Sequence, residues 1–188
     1  MNDTASTLKN QLLIAMPQMD DPNFAQSLVY LVEHTPHGAM GLVINRPSGL
    51  NLYALLQRLR PEQLPPPHCL DIPVYAGGPV QTERGFVLHP ATHSYWATLR
   101  LGELSLTTSL DVLFLIAYGQ ADHDYLITLG YAGWGDGQLE RELADNVWLN
   151  CPASIELLFH TPWQQRHDGA IGLLGIDPRH LSGQAGHA

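Results

Sequence analysis

Glu33 and His34, with His37 close behind, put a carboxylate and two imidazoles into one short stretch. These are the side chains that move protons near neutral pH. His89 and His93 stand at the i, i+4 spacing of zinc ligands on a helix. Pro90 argues against a helix across them, and no H-E-x-x-H is present. Ten histidines in 188 residues make such neighbours common by chance, so no metal is assigned. Thr107, Thr108, Ser109 and Asp111 gather hydroxyls and a carboxylate at one helix start, where capping accounts for them without catalysis. Gly133-Trp-Gly135-Asp-Gly137 falls between a strand and a helix, a place where free amides and the helix dipole suit phosphate. Its G-x-G-x-G spacing matches neither the dinucleotide fingerprint nor a P-loop, and Glu140 and Glu142 would repel an anion. A tight turn needing glycine backbone angles explains it more simply. Gly77-Gly78 lets the backbone come close to a ligand or to another strand, and the second reading leads.

A G-x-S-x-G elbow is missing, and no Cys/His nucleophile pattern stands out. Catalytic residues and cofactors are therefore both expected to be none. Asn45, Arg46, Gly77, Gly78, Thr108 and Ser109, with His34 as acid/base, form the best set for a nucleotide or phosphorylated small molecule. That reading assumes that polar residues at element ends converge on one pocket. Glu33, Trp134 and Gln138 complete the candidates for ligand or partner binding. Trp134, Trp148 and Trp163 suit core or edge packing better than base stacking.

The elements that must position these residues are legible in outline. Residues 130–149 read as the end of a strand from Tyr125 to Trp134, a glycine turn, a short helix and a second strand. Asp136 is placed to cap that helix, with Leu139 and Leu143 on one face and Glu140, Arg141 and Asp145 turned outward. Leu12 to Met16 reads as a strand, and Asp21-Pro22 opens a helical turn. Leu28 to Glu33 and Ala39 to Asn45 form a hairpin around Thr35-Pro-His-Gly38; neither alternates, so both faces are covered. Leu52, Leu55, Leu56 and Leu59 give the clearest helix, capped by Asn51 and ended by Pro61. Short strands follow at Val74–Ala76, Phe86–His89, Ala97–Leu101 and Leu104–Thr107. A buried helix spans Leu110 to Tyr118, after a capping box at Thr108-Ser-Leu-Asp111. A second box, Thr161-Pro-Trp-Gln164, opens the last helix, whose inner face is Trp163, His167, Ala170, Ile171 and Leu174.

Composition bounds the rest. The chain is 45% hydrophobic and only 14% charged, against a usual charged share of about 25%, so it can bury a full core. Its net charge of −9 is uneven: residues 1–100 carry −1 and residues 101–188 carry −8. Nucleic acid binding is disfavoured because phosphates are held by positive charge; the five arginines between Arg46 and Arg100 are its one local support. Cys69 and Cys151 make no metal spacing and no disulfide framework. MNDTASTLKN lacks a secretory pattern, and the longest apolar run, Val112 to Tyr118, is far below the ~20 residues of a membrane span. A cytoplasmic protein with no membrane contact is the expectation.

Many short motifs, in order, resemble one family. They include Met16-Pro17, Asp21-Pro22-x-Phe24, Ser27-Leu-Val-Tyr30, Glu33-His34, Gly38-Ala-Met-Gly-Leu-Val-Ile-Asn45-Arg-Pro47 and Gly77-Gly-Pro-Val80. Arg84-Gly-Phe-Val-Leu-His89, Thr108-Ser-Leu-Asp-Val112, Gly130-Tyr-Ala-Gly-Trp134, Gly137-Gln-Leu-Glu140, Asp145-Asn-x-Trp-Leu149 and Ala185-Gly-His-Ala188 continue them. The chain is similar to the YqgE/AlgH family of bacterial proteins from about residue 12 to its end. The resemblance implies an α+β (mixed α/β) fold, a single compact domain with a curved, partly barrel-like mixed sheet flanked by helices. Its boundaries are set at 12–180, with 1–11 a flexible N-terminus and 181–188 a tail. One branch carries the label of a transcriptional regulator of alginate synthesis. Relatives often carry Cys where this chain has Val32, which removes a thiol mechanism here. Relatives also often have Trp where this chain has His167, a space that Trp163 is expected to fill. The leading expectation is a non-catalytic regulatory protein acting through protein contacts, with the acidic half, residues 101–188, as the contact surface for a basic partner. An enzyme or binding protein for a nucleotide or phosphorylated ligand, and direct DNA binding, are the rivals.

Overall fold

The computed structural model describes residues 7–181. Residues 182–188 of the tail expected over 181–188, with Ala185-Gly-His-Ala188, lie outside the described residues, as do residues 1–6 of the expected flexible N-terminus. The chain divides into two compact units, one of residues 1–45 with 132–188 and one of residues 46–131. The fold is α+β with a mixed sheet, as expected.

In the first unit, β1 (Gln11–Ala15), β2 (Leu28–Thr35), β3 (Gly38–Val43) and β10 (Trp148–Pro152) form an antiparallel ladder. β1 lies between β10 and β2, and β3 pairs with Ala132–Trp134, the end of β9 (Leu126–Trp134). Leu28–Val32 are all buried, which is why that run does not alternate. Pairing slips by one residue between Leu31 and Glu33. This bulge at Val32 leaves Glu33 exposed and re-aims His34. Residues 7–11 are tied to this ladder: Asn10 N–H donates to the Leu31 carbonyl at 2.9 Å. Helices α3 (Gln138–Ala144) and α4 (Trp163–Leu173) belong to this unit, with a single π-helical turn at Glu156–His160. The core holds Leu13, Val29, Leu31, Val43, Trp134, Leu139 and Trp148.

In the second unit, β4 (Pro47–Asn51) pairs with β5 (Pro73–Ala76), and β5 runs parallel to the start of β9. β6 (Val80–Pro90) is antiparallel to β9 and to β8 (Leu104–Thr107), and β7 (Thr98–Leu101) pairs with β8 at the edge. Helix α1 (Leu52–Leu59) is capped by Asn51, whose Oδ1 accepts from Ala54 N–H at 2.9 Å. Leu52 and Leu56 of α1 pack with Val112, Leu113 and Ile116 of α2 (Asp111–Ala117) over Val74, Val87 and Ile127.

Three caps differ from expectation. Asp136 does not cap α3. Gly137 occupies the N-cap at φ +64 with no side chain capping the helix, and the Gln138 side chain accepts from Gly135 N–H of the preceding turn at 3.0 Å. Leu110, not Thr108, is the N-cap of α2, and no side chain caps it; Ser109 Oγ donates to the Trp96 carbonyl. Pro162 is the N-cap of α4, since Thr161 Oγ1 donates back to the Glu156 carbonyl of the π-turn at 3.0 Å. The inner face of α4 also differs. Trp163 is 38% exposed, and the buried side chains are Arg166, Ala170 and Ile171. Trp163 therefore does not fill the space at His167. The His167 Nε2–H instead donates to the Ala15 carbonyl at 2.9 Å.

Candidate functional site

Four of the sequence-picked residues fall near α3 or on β2 beside it. The His34 side chain is only 10% exposed. Its Nδ1 accepts from Leu8 N–H at 2.9 Å, which fixes the proton on Nε2, and Nε2–H donates to Glu140 Oε1 at 2.7 Å. The Glu140 carboxyl is held below its ordinary range first by its own backbone amide and then by His34. Glu33, beside it, points to solvent. Trp134 and Gln138 meet on a residue not picked from the sequence. Glu142 Oε2 accepts from Trp134 Nε1 at 2.9 Å and from Trp148 Nε1 at 2.8 Å, and Glu142 Oε1 accepts from Gln138 Nε2 at 2.9 Å. Phe24 closes the group, its ring 5.9 Å from Trp148 and 6.3 Å from Trp134. One carboxylate thus satisfies two indoles that the core would otherwise strand. Trp134 and Trp148, 7% and 1% exposed, leave no open aromatic face. The spacing Trp134, Gln138, Glu142 was the available signal. Four residues on a helix bring Gln138 and Glu142 side by side.

Asn45, in the same unit, is spent on the hairpin: Oδ1 accepts from Leu28 N–H at 2.8 Å and Nδ2 donates to the Gln26 carbonyl at 2.9 Å. Arg46, Gly77, Gly78, Thr108 and Ser109 belong to the second unit. The Arg46 carbonyl accepts from Ala76 N–H. Gly77 N–H donates to the Leu129 carbonyl at 2.7 Å, and a Cβ on Gly77 would overlap the Gly130 carbonyl oxygen. Gly130, at φ +74, in turn leaves no room for a Cβ against the Gly78 carbonyl. The glycine pair therefore serves a backbone crossing. Thr108 N–H donates to the Ala97 carbonyl.

The second unit also holds a polar chain that only the histidines had hinted at. His89 is 1% exposed. Its Nδ1–H donates to the Pro90 carbonyl at 2.8 Å, so Nε2 accepts from Thr107 Oγ1 at 2.8 Å. Thr98 Oγ1–H donates to Thr107 Oγ1 at 2.7 Å, and Thr98 Oγ1 accepts from Tyr95 N–H at 2.9 Å. Asp122 sits 3.8 Å from His89 Nδ1 and accepts from His93 Nδ1 at 2.6 Å. Tyr95 packs edge-on over His89 at 5.0 Å and accepts from Asp122 N–H. Burial pushes the His89 imidazole below its ordinary value, against the Pro90 carbonyl and Asp122, while His93 adds to the push. An imidazole accepting from a hydroxyl sharpens a nucleophile, but Thr107 is wholly buried, so here the chain fastens β6, β7 and β8 together. Among the described residues no group of three or more His, Cys, Asp or Glu could hold a metal ion. Both cysteines are buried, and burial raises their thiols, which keeps them unreactive.

At the edge of this unit the surface turns apolar. Trp96 is 80% exposed, Leu99 54% and Leu110 52%. The Ser109 bond to the Trp96 carbonyl and the Thr108 bond to Ala97 hold their segments together. Sequence reading missed this feature because Trp96 and Leu99 fit a half-buried strand equally well.

A family model described as AlgH-like matches residues 12–179. The UPF0301 protein AlgH of Pseudomonas aeruginosa is 59% identical over 96% of each chain. A UPF0301 protein of Stutzerimonas stutzeri is 58% identical over the full length of both. The solution structure of the AlgH protein from Pseudomonas aeruginosa covers both chains fully at 57% identity with a TM-score of 0.82. A crystal structure of a Corynebacterium diphtheriae protein shares the fold at 19% identity, with a TM-score of 0.70.

Proposed function

The chain belongs to the AlgH-like family, and from that premise we propose that it is a regulatory protein without a catalytic step of its own, acting through contacts with another protein. The observation that carries this reading is the exposed group Trp96, Leu99 and Leu110 on the second unit. Large apolar side chains held in water mark contact sites, and tryptophan dominates the energetics of such contacts. The polar candidates support the reading from the other side, since Asn45, Trp134, Gln138 and Ser109 spend their side-chain groups inside the fold.

The test is affinity purification of the full chain at native expression, beside a Trp96→Ser, Leu99→Thr variant. A specific partner is expected with the first and not the second, while the melting temperature stays the same. Recovery of no specific partner, or of the same partner with both proteins, counts against the proposal.

A further inference from the structure

The outer edge of β7 has a defined hydrogen-bonding pattern. Thr108 N–H donates to the Ala97 carbonyl, so Ala97 and Thr108 are a bonded pair of the β7–β8 hairpin. Bonded and non-bonded pairs alternate in an antiparallel ladder. Leu99 with Leu106 and Leu101 with Leu104 are therefore also bonded, and Thr98 and Arg100 turn their N–H and C=O groups away from β8. The 2.7 Å approach of the Thr98 and Thr107 hydroxyls agrees, because side chains come closest at non-bonded pairs. Among the described residues β8 is the one strand that pairs with β7.

We infer that this edge receives an extended, carboxylate-bearing peptide segment of a partner protein, added antiparallel to β7. The inference rests on the protein-contact reading above and names its partner class. The outward groups of Thr98 and Arg100 lie about 6.8 Å apart, the repeat of a strand, and main-chain pairing of this kind is how exposed edges take up peptides. Leu99, exposed between them, calls for an apolar residue on one side of the segment. Arg100 calls for a carboxylate. Its Nε–H donates to the Gly102 carbonyl at 3.3 Å, and no carboxylate of the described residues pairs with it. A second copy of the chain fits worse. The one self-pairing that satisfies every outward group sets Thr98 against Arg100 about Leu99 and puts the two arginines on a diagonal, with no carboxylate for either. The edge is four residues long and carries a charge, which discourages indiscriminate pairing and favours a strand of opposite charge.

The probe is a capped peptide of alternating valine and glutamate, titrated into the full-length protein and followed by backbone amide resonances. Shifts centred on Thr98 and Arg100 are expected. N-methylation of one edge-facing amide of the peptide should weaken binding about tenfold, the loss of one hydrogen bond. Arg100→Pro removes an outward N–H together with the charge and should cost about thirtyfold, whereas Arg100→Gln removes only charge and should cost about threefold. Exchange of glutamate for lysine in the peptide should abolish binding. Shifts elsewhere, no shifts, or equal binding of the methylated peptide overturn the inference. A cellular partner held equally by the wild type and Arg100→Pro, yet lost from the Trp96→Ser, Leu99→Thr variant, overturns strand addition and leaves the contact reading standing.

Discussion

Single side chains here do their work by closing gaps in the fold, and Glu142 does so most economically. Its carboxylate takes both buried indole N–H groups of its unit and the Gln138 amide. Glu142→Ala leaves those donors to partly wetted, weaker partners and should cost about 2–4 kcal/mol, read as a fall in the urea midpoint with an unchanged m-value. Glu142→Gln keeps an acceptor and should cost less. His89 sets a pH dependence whose sign is fixed. Burial lowers its folded-state pKa, so as pH falls the unfolded chain binds the proton first. The stability that His89 gives is full above the ordinary value of about 6.5 and is lost as pH falls through that value toward the lowered one, at up to about 1.4 kcal/mol per pH unit. Stability profiles of the wild type and His89→Gln should therefore diverge most above neutrality and converge in acid; parallel profiles would refute the assignment. Neither role was visible in the residue types. A glutamate on a helix and a histidine before a proline carry no mark of what will be packed against them.

Elements were read with more success where local rules decide. The 3.6-residue spacing of leucines located α1, and the hairpin turn located β2 and β3. The cap expected at Thr161 failed because its hydroxyl had a better partner in the π-turn. Gly77 and Gly130 show how an element can depend on a residue that lacks a side chain. The crossing of β5 and β9 brings their backbones closer than a Cβ permits. Gly77→Ala should destabilise by about 2–4 kcal/mol, in the range of backbone and packing clashes. A shift in melting temperature of under about 2 °C, the equivalent of less than 1 kcal/mol for a chain of this size, would show that the crossing can relax.

At the scale of the whole molecule, charge decides more than shape. A chain of net −9 has little to neutralise phosphates, and of the five arginines in the 46–100 stretch Arg60 lies over the Phe114 ring and Arg84 over Phe86. A mobility-shift assay at physiological salt should show no sequence-selective binding to DNA; a selective shift would revive the DNA-binding reading. Among the described residues no helix is long and apolar enough to cross a membrane.

The motifs, their order and the apolar periodicities established the family, the α+β class and most element positions, because each depends on residues near one another in the chain. Tertiary contacts decided the partners. Glu142 reaches a tryptophan on either side of it through the turn of α3, His34 meets Leu8 across 26 residues, and Thr98 meets Thr107 across a hairpin. They also decided which large apolar residues stay outside. Trp96 and Trp148 look alike in the sequence, yet one is 80% exposed and the other 1%. Burial belongs to the layers that happen to cover a residue, and no local pattern states where a sheet runs out of neighbours.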